Sequence, residues 1–158
     1  MVFKTILVPY DGSAMSDKAL DKAVELANTI KESSIMIIHV VPEIPTPIFS
    51  RIIRSPKTGE VITFSEYMIS LYQEMESKMR ERLEERKEKY RKYGFPIEIY
   101  ITTGIPIDKI LEYVTEKKVD LIVIGSIGVT GISKFFKGLG SVSRNVSEKV
   151  SCPVLIVR

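Results

Sequence analysis

Ile35-Met36-Ile37-Ile38-His39-Val40-Val41 is a seven-residue apolar run with a single polar interruption. A strand half exposed to water alternates apolar and polar side chains, whereas a run without alternation marks a strand covered on both faces. Strands of that kind occur in parallel sheets sandwiched between helices, so this stretch sets the fold class.

The flanking segments agree. Upstream, Phe3 to Pro9 is rich in β-formers and ends at a turn, Tyr10-Asp11-Gly12-Ser13. Residues 14–31 then carry Leu20, Ala23, Val24, Ala27 and Ile30 at helical spacing. Downstream, an insert from Pro42 to about Phe64 holds Pro42, Pro45, Pro47 and Pro56, which predicts little regular structure. A long helix is predicted over roughly 65–93, with Ile69, Tyr72, Met75, Met79, Leu83 and Tyr90 on one stripe. Glu74/Lys78, Glu85/Lys89 and Glu88/Lys92 are spaced as favourable i,i+4 ion pairs, and Gly94 stops the helix.

Ile97–Thr103 reads as the next strand, Pro106 opens a helix through Val114, and Val119–Ile124 is another buried strand. A glycine-rich stretch, 125–140, leads to a helix from about Ser141 to Val150, and Pro153–Val157 is the last strand. The order β-α-β-α-β-α-β-α-β predicts one α/β domain over 1–158, a parallel sheet with helices on both faces and right-handed crossovers, interrupted by the insert at 42–64.

Composition fits that reading. The 158 residues are 27% charged and 44% hydrophobic, an ordinary globular mix that excludes disordered and polytopic membrane classes. A net charge of +3 is too small a bias to suggest a nucleic-acid binder. Cys152 is the sole cysteine, so no internal disulfide forms. The apolar start is too short for a secretory signal, and no run approaches the ~18 apolar residues of a membrane span. The expected location is the cytoplasm.

In open parallel sheets, ligands bind beyond the carboxyl ends of strands where adjacent connections diverge to opposite faces. Two loops carry suitable residues. The first is Pro9-Tyr10-Asp11-Gly12-Ser13. Its Asp11 is suited to accept from a ligand hydroxyl or amine, or to serve a metal as an outer ligand; taken alone, it reads as an Asx-turn or cap residue. The second is Gly125-Ser126-Ile127-Gly128-Val129-Thr130-Gly131, continuing to Gly138-Leu139-Gly140-Ser141-Val142-Ser143. Glycines let the backbone approach an anion closely, and a helix start adds unsatisfied N–H groups and partial positive charge. The same residues also suit an ordinary turn with Ser141 as an N-cap.

Neither loop is a P-loop or a dinucleotide fingerprint. No second histidine or cysteine cluster joins His39 in a metal site, and a structural hydrogen bond at a strand end is its expected role. No nucleophile elbow supports a triad of Ser13, Asp11 and His39. Cys152 reads as a small buried residue. Arg51, Arg54 and Lys57 of the insert are placed either to close over the cleft or to form a solvated or dimer-covering loop.

The chain resembles the universal stress proteins, in their nucleotide-binding branch. The resemblance rests on Ile6–Ser13, Ile38-His39-Val40-Val41, Gly104-Ile105-Pro106, Asp120–Ser126, Gly140–Ser143 and Cys152–Val157. The family's signature is G-x-x-G, nine residues, then G-S or G-T. Gly125-Ser126-Ile127-Gly128 and Gly140-Ser141 match its ends, but the spacer, 129–139, is eleven residues long. Pairing Gly128 with Gly131 restores nine but places Ser141 where the third glycine belongs.

The resemblance implies a three-layer α/β/α fold with a five-stranded parallel sheet in the order 3-2-1-4-5. It implies ATP as ligand, with Mg or Mn. Pro9, Tyr10 and Asp11 would border adenine and ribose, and Val41 would pack on the base. Gly125, Gly128, Gly140, Ser141, Val142 and Ser143 would line ribose and phosphates, with Ser126 and Ile127 between. It further implies a homodimer through strand 153–157 and a nucleotide-dependent regulator in stress response, with no nucleic acid or membrane partner. Its protein partner is not specified. Any ATP hydrolysis is expected to be slow or partner-dependent, since no base, nucleophile or arginine finger is placed by motif. The alternative is a dimeric interaction module that has lost the nucleotide.

Overall fold

Ile6, Leu7 and Val8 are fully buried, and successive side chains of this strand feed two different cores. Ile6 and Val8 point to one face and Leu7 to the other, as the two-residue period of a strand requires. The computed structural model describes residues 3–43, 51–128 and 139–158.

The elements in order are β1 (Thr5–Pro9), α1 (Ala14–Thr29), β2 (Ser34–Val41), β3 (Ile52–Arg54), β4 (Val61–Thr63), α2 (Phe64–Tyr90), β5 (Ile97–Thr103), α3 (Pro106–Glu116), β6 (Leu121–Gly125), α4 (Ser141–Lys149) and β7 (Val154–Val157). A 3₁₀ turn over Arg91–Tyr93 follows α2 and ends at Gly94. The main sheet has the order β5-β2-β1-β6-β7, all pairs parallel. With the hairpin β3–β4 set aside, this is the expected 3-2-1-4-5. Helices α1 and α2 cover one face through Leu20, Ala23, Leu83 and Tyr90; α3 and α4 cover the other through Ile110, Val114 and Val146.

Three expectations need correction. Part of the insert is regular: β3 and β4 form an antiparallel hairpin, Ile52 opposite Thr63 and Arg54 opposite Val61. Pro56 sits in its turn rather than in a strand, so it breaks no ladder bond. The α2 stripe is buried only over its second half, since Leu83 and Tyr90 are its buried residues while Ile69 and Met75 are exposed. Of the three ion pairs read along α2, Glu74–Lys78 closes at 2.8 Å. Lys89 instead approaches Asp21 at 3.9 Å, and Glu88 meets Arg91 at 3.3 Å. A tertiary partner takes Lys89 and a local i,i+3 partner takes Glu88, since an exposed i,i+4 pair is worth only a few tenths of a kcal/mol.

The start of α2 is fixed by a capping box absent from the sequence reading. Thr63 Oγ1 accepts from the Glu66 N–H at 3.1 Å, and Glu66 Oε2 accepts from the Thr63 N–H at 2.7 Å. At the opposite end of the sheet, Asp120 Oδ2 accepts from the N–H groups of Lys4 and Thr5, both at 3.0 Å. That pair of bonds sets the register between β6 and β1.

Candidate functional site

β1 and β6 are neighbours, and their connections leave toward opposite faces: α1 on one, α4 on the other. The loops after them therefore meet at the switch point of the sheet, where a crevice is expected. The first loop is rigidly set. The Tyr10 N–H donates to Ile38 O at 2.9 Å, and His39 Nδ1 lies 2.8 Å from Tyr10 O. His39 thus has the strand-end structural bond expected of it. Asp11 Oδ1 accepts from the Ser13 N–H at 3.0 Å, an Asx-turn, and Ser13 Oγ caps α1 by accepting from Ser16 N–H at 3.1 Å. The turn uses Oδ1 of the carboxylate, and Oδ2 faces Gly128.

The side chain of Tyr10 lies in the core. Its ring is 3% exposed, packed in the α1–α2 core. Its hydroxyl donates to Asp17 Oδ1 at 2.6 Å, with the Arg82 guanidinium 5.7 Å over the ring. Burial, then the bond to Asp17, pushes the hydroxyl up to about 12. Asp17 also pairs with Arg82 at 2.8 Å and Arg86 at 2.9 Å. The side chain of Tyr10 therefore anchors the loop against α1 and α2.

The second loop is closed at its base. Gly125 ends β6, and a Cβ there would lie 2.8 Å from the backbone carbon of Met15, so α1 seats directly on this glycine. Ser126 is buried; its N–H donates to Val157 O at 2.8 Å. Its carbonyl accepts from Gly140 N–H at 2.7 Å and from Ser143 Oγ at 3.0 Å. Ser143 Oγ also lies 3.0 Å from Gly140 O. The two ends of the glycine-rich stretch are thus tied together, whatever the length between them. The residues from 129 to 138 lie outside the described set, so the spacer itself, with Gly131 and Gly138, is not placed.

Gly140, not Ser141, is the N-cap of α4, and it offers no side chain to the first turn. The N–H groups of Ser141, Val142 and Ser143 form that turn, which holds no acidic residue. Ser143 is 3% exposed and its hydroxyl is engaged on Ser126 and Gly140. It contributes a backbone N–H to this turn, and its hydroxyl is a tie between loop ends. Ser141 is exposed. Ile127 is half-buried and Gly128 exposed, and a Cβ on Gly128 would lie 2.6 Å from Asp11 Oδ2. Pro9 ends β1, and Val41, 8% exposed, ends β2, its carbonyl accepting from Gly104 N–H at 3.0 Å.

The structure therefore brings the ends of β1, β2 and β6 and the start of α4 to one edge of the sheet. Cys152 is half-buried rather than enclosed, and burial pushes its thiol up. Arg54 donates to Gly59 O at 2.8 Å and Lys57 pairs with Glu74, so two of the three insert cations are held within the hairpin and α2. That arrangement favours a solvated or dimer-covering loop over one that closes on the cleft.

The sequence matches the Universal stress protein family over residues 2–158. The chain belongs to that family. Among curated relatives, universal stress protein YxiE of Bacillus subtilis is 38% identical over 157 residues, covering 99% of this chain and 100% of the relative. Among solved structures, the universal stress protein UspA from Lactobacillus plantarum matches with a TM-score of 0.82 at 22% identity, covering 100% of this chain and 99% of that one. It supports the fold. A universal stress protein solved in complex with cAMP matches with a TM-score of 0.62 at 25% identity, covering 100% and 98%.

Proposed function

We propose that this universal stress protein binds an adenine nucleotide, ATP, at the crevice between the β1 and β6 loops and acts as a nucleotide-dependent regulator in stress response. The observation that carries the reading is the 2.6 Å approach of a would-be Cβ at Gly128 to Asp11 Oδ2, which holds a backbone segment against a carboxylate. Asp11 is suited to accept from ribose hydroxyls. The uncapped first turn of α4 offers N–H donors and partial positive charge to phosphates. Val41, at the neighbouring strand end, supplies an apolar surface for the base. The relative in complex with cAMP supports adenine nucleotides as the ligand class.

The proposed metal, Mg or Mn, would be held mainly by the phosphates. Among the described residues no group of three His, Cys, Asp or Glu side chains comes together, and Asp11 is the acid at this edge. A nucleotide-bound Mg needs only one or two protein carboxylates. When bound, the ion would supply charge neutralisation to the triphosphate.

We further propose the cytoplasm as the place of action and a homodimer through β7. No helix among the described residues is long and apolar enough to cross a membrane. β7 is an edge strand with Leu155 37% exposed, and such an edge offers unpaired backbone groups to a second copy.

The test is to denature freshly purified protein and chromatograph what is released at 260 nm. Adenine nucleotide approaching one per chain supports the reading. No release, with no binding on later addition of ATP, turns the balance to a nucleotide-free interaction module.

A further inference from the structure

Every polar group of Tyr10 is engaged. Its N–H donates to Ile38 O at 2.9 Å, its carbonyl lies 2.8 Å from His39 Nδ1, and its hydroxyl donates to Asp17 Oδ1 at 2.6 Å. A carbonyl oxygen only accepts, so Nδ1 is the ring nitrogen that carries the hydrogen. One residue is thus tied to the β2 main chain, to a β2 side chain and to α1.

The bond from His39 reaches furthest along the loop. The Tyr10 carbonyl and the Asp11 N–H belong to one planar trans peptide. Holding that oxygen therefore fixes the direction of the Asp11 N–H and the base from which the Asp11 side chain springs. Beyond Asp11 the chain turns at Gly12, whose φ of +83° lies in the left-handed region. Met79 Cε and Arg82 Nη1 of α2 lie over that turn, 3.1 and 3.5 Å from a Cβ placed on Gly12.

The other anchors have tasks of their own. The Tyr10 N–H continues the β1–β2 pairing past Pro9, Asp17 seats Arg82 and Arg86, and Ser13 caps α1. His39 has no such second task among the described residues, where its bond to Tyr10 O is the one hydrogen bond of its side chain. It interrupts an apolar strand, half-buried on the face that Ile35 and Ile37 share. A polar group in that place is unfavourable unless it is bonded, and the bond it makes goes to the loop.

We propose that His39 is a positioning residue of the nucleotide site: its Nδ1–H holds the Tyr10–Asp11 peptide and so keeps Asp11 in place for the ligand. The inference rests on the proposed adenine nucleotide site. Without the bond the peptide is free to rotate. The apparent affinity then falls with the fraction of molecules whose loop is in place.

Two variants and two readouts test this. His39→Leu removes the donor. His39→Asn keeps one, because its amide nitrogen stands two bonds from Cβ, as Nδ1 does. Hydrogen exchange followed by NMR reads the Tyr10 and Ser13 amides in nucleotide-free protein, and calorimetry reads ATP affinity. In His39→Leu both amides are expected to exchange faster while those of Ile6–Val8 do not, and ATP is expected to bind about fivefold more weakly, the scale of one neutral hydrogen bond. His39→Asn is expected to restore both. A merely structural role lowers stability to urea but leaves the affinity of the folded protein unmoved. Should His39→Leu fail to fold, His39→Gln, whose amide reaches one bond further than Nδ1, takes its place. Unaltered affinity in His39→Leu, or no recovery in His39→Asn, overturns the proposal. A wild-type chain that binds no ATP contradicts the nucleotide reading instead; faster exchange in His39→Leu then still shows that His39 holds the loop, and unaltered exchange overturns that as well.

Discussion

Gly128 lies against Asp11 so closely that a Cβ at position 128 would sit 2.6 Å from Asp11 Oδ2. This contact spans the switch point of the sheet and joins the loop after β1 to the loop after β6. A side chain at 128 forces one of the two aside. Gly128 is exposed, so the fold tolerates the change while the crevice does not. Gly128→Val is expected to weaken ATP binding about tenfold or more, roughly 1.4 kcal/mol or more. Calorimetric titration with unchanged circular dichroism checks it; an unaltered affinity removes Asp11–Gly128 from the site.

Gly125 makes the opposite prediction. Its would-be Cβ meets the main chain of Met15 at 2.8 Å, and backbone cannot rotate away as a side chain does. Gly125→Ala is expected to destabilise the protein by about 2 kcal/mol, the usual range for overpacking. Urea unfolding measures it. A loss below about 0.5 kcal/mol means α1 slides over β6 more freely than so close a seat allows.

The Tyr10–Asp17 bond sets a pH dependence. The Tyr10 hydroxyl is raised to about 12 by burial and by Asp17, from an ordinary value of 10.0. Between those values the folded chain keeps a proton that the unfolded chain has lost. This contribution to stability is complete below pH 10 and declines as pH rises through 12. Tyr90 and Tyr100 are raised as well, by burial beside Asp21 and by Glu98 respectively, and add to the same decline. Tyr10→Phe is expected to make stability fall less steeply between pH 10 and 12; an identical slope in both proteins contradicts the assignment.

Asp17 holds three partners, so its removal reaches further than that of Tyr10. Asp17→Ala leaves the buried Tyr10 hydroxyl without its acceptor and frees Arg82 and Arg86. An unsatisfied buried hydroxyl costs about 1–3 kcal/mol. The expected loss by urea unfolding is in that range and larger than for Tyr10→Phe. Equal losses would show that the two arginines add nothing to the seat of α2.

The sheet was legible because its strands are apolar on both faces. Ile35–Val41 and Leu121–Ile124 have no polar face to confuse them with surface elements, and the alternation with helices gives a parallel sheet directly. The hairpin was not legible because the prolines of the insert dominated its reading. Ile52-Ile53 and Val61-Ile62, flanking Thr58-Gly59, were the available signal. Periodicity identified the stripe on α2 but not how far the body reaches beneath it, since a pattern of apolar residues does not record what covers them.

At the candidate site, the residues that gather were readable from the two loops. Their division of labour was not. That Tyr10 turns into the core, that Ser143 ties Ser126 to Gly140, and that Gly125 admits Met15 all depend on which helix lies on which face. The Asx-turn at Asp11 and the cap at Ser13 are local, and Asp11's turn was within reach of the sequence.

The proposed adenine nucleotide site between the β1 and β6 loops has to form despite a spacer of eleven residues, 129–139. The most direct measurement is isothermal calorimetry of nucleotide-free protein with ATP and Mg, beside Gly128→Val under the same conditions. Saturable binding near one nucleotide per chain is expected, lost or weakened at least tenfold in the variant. No heat of binding with ATP, ADP, AMP or cAMP, in protein shown to be folded, contradicts it.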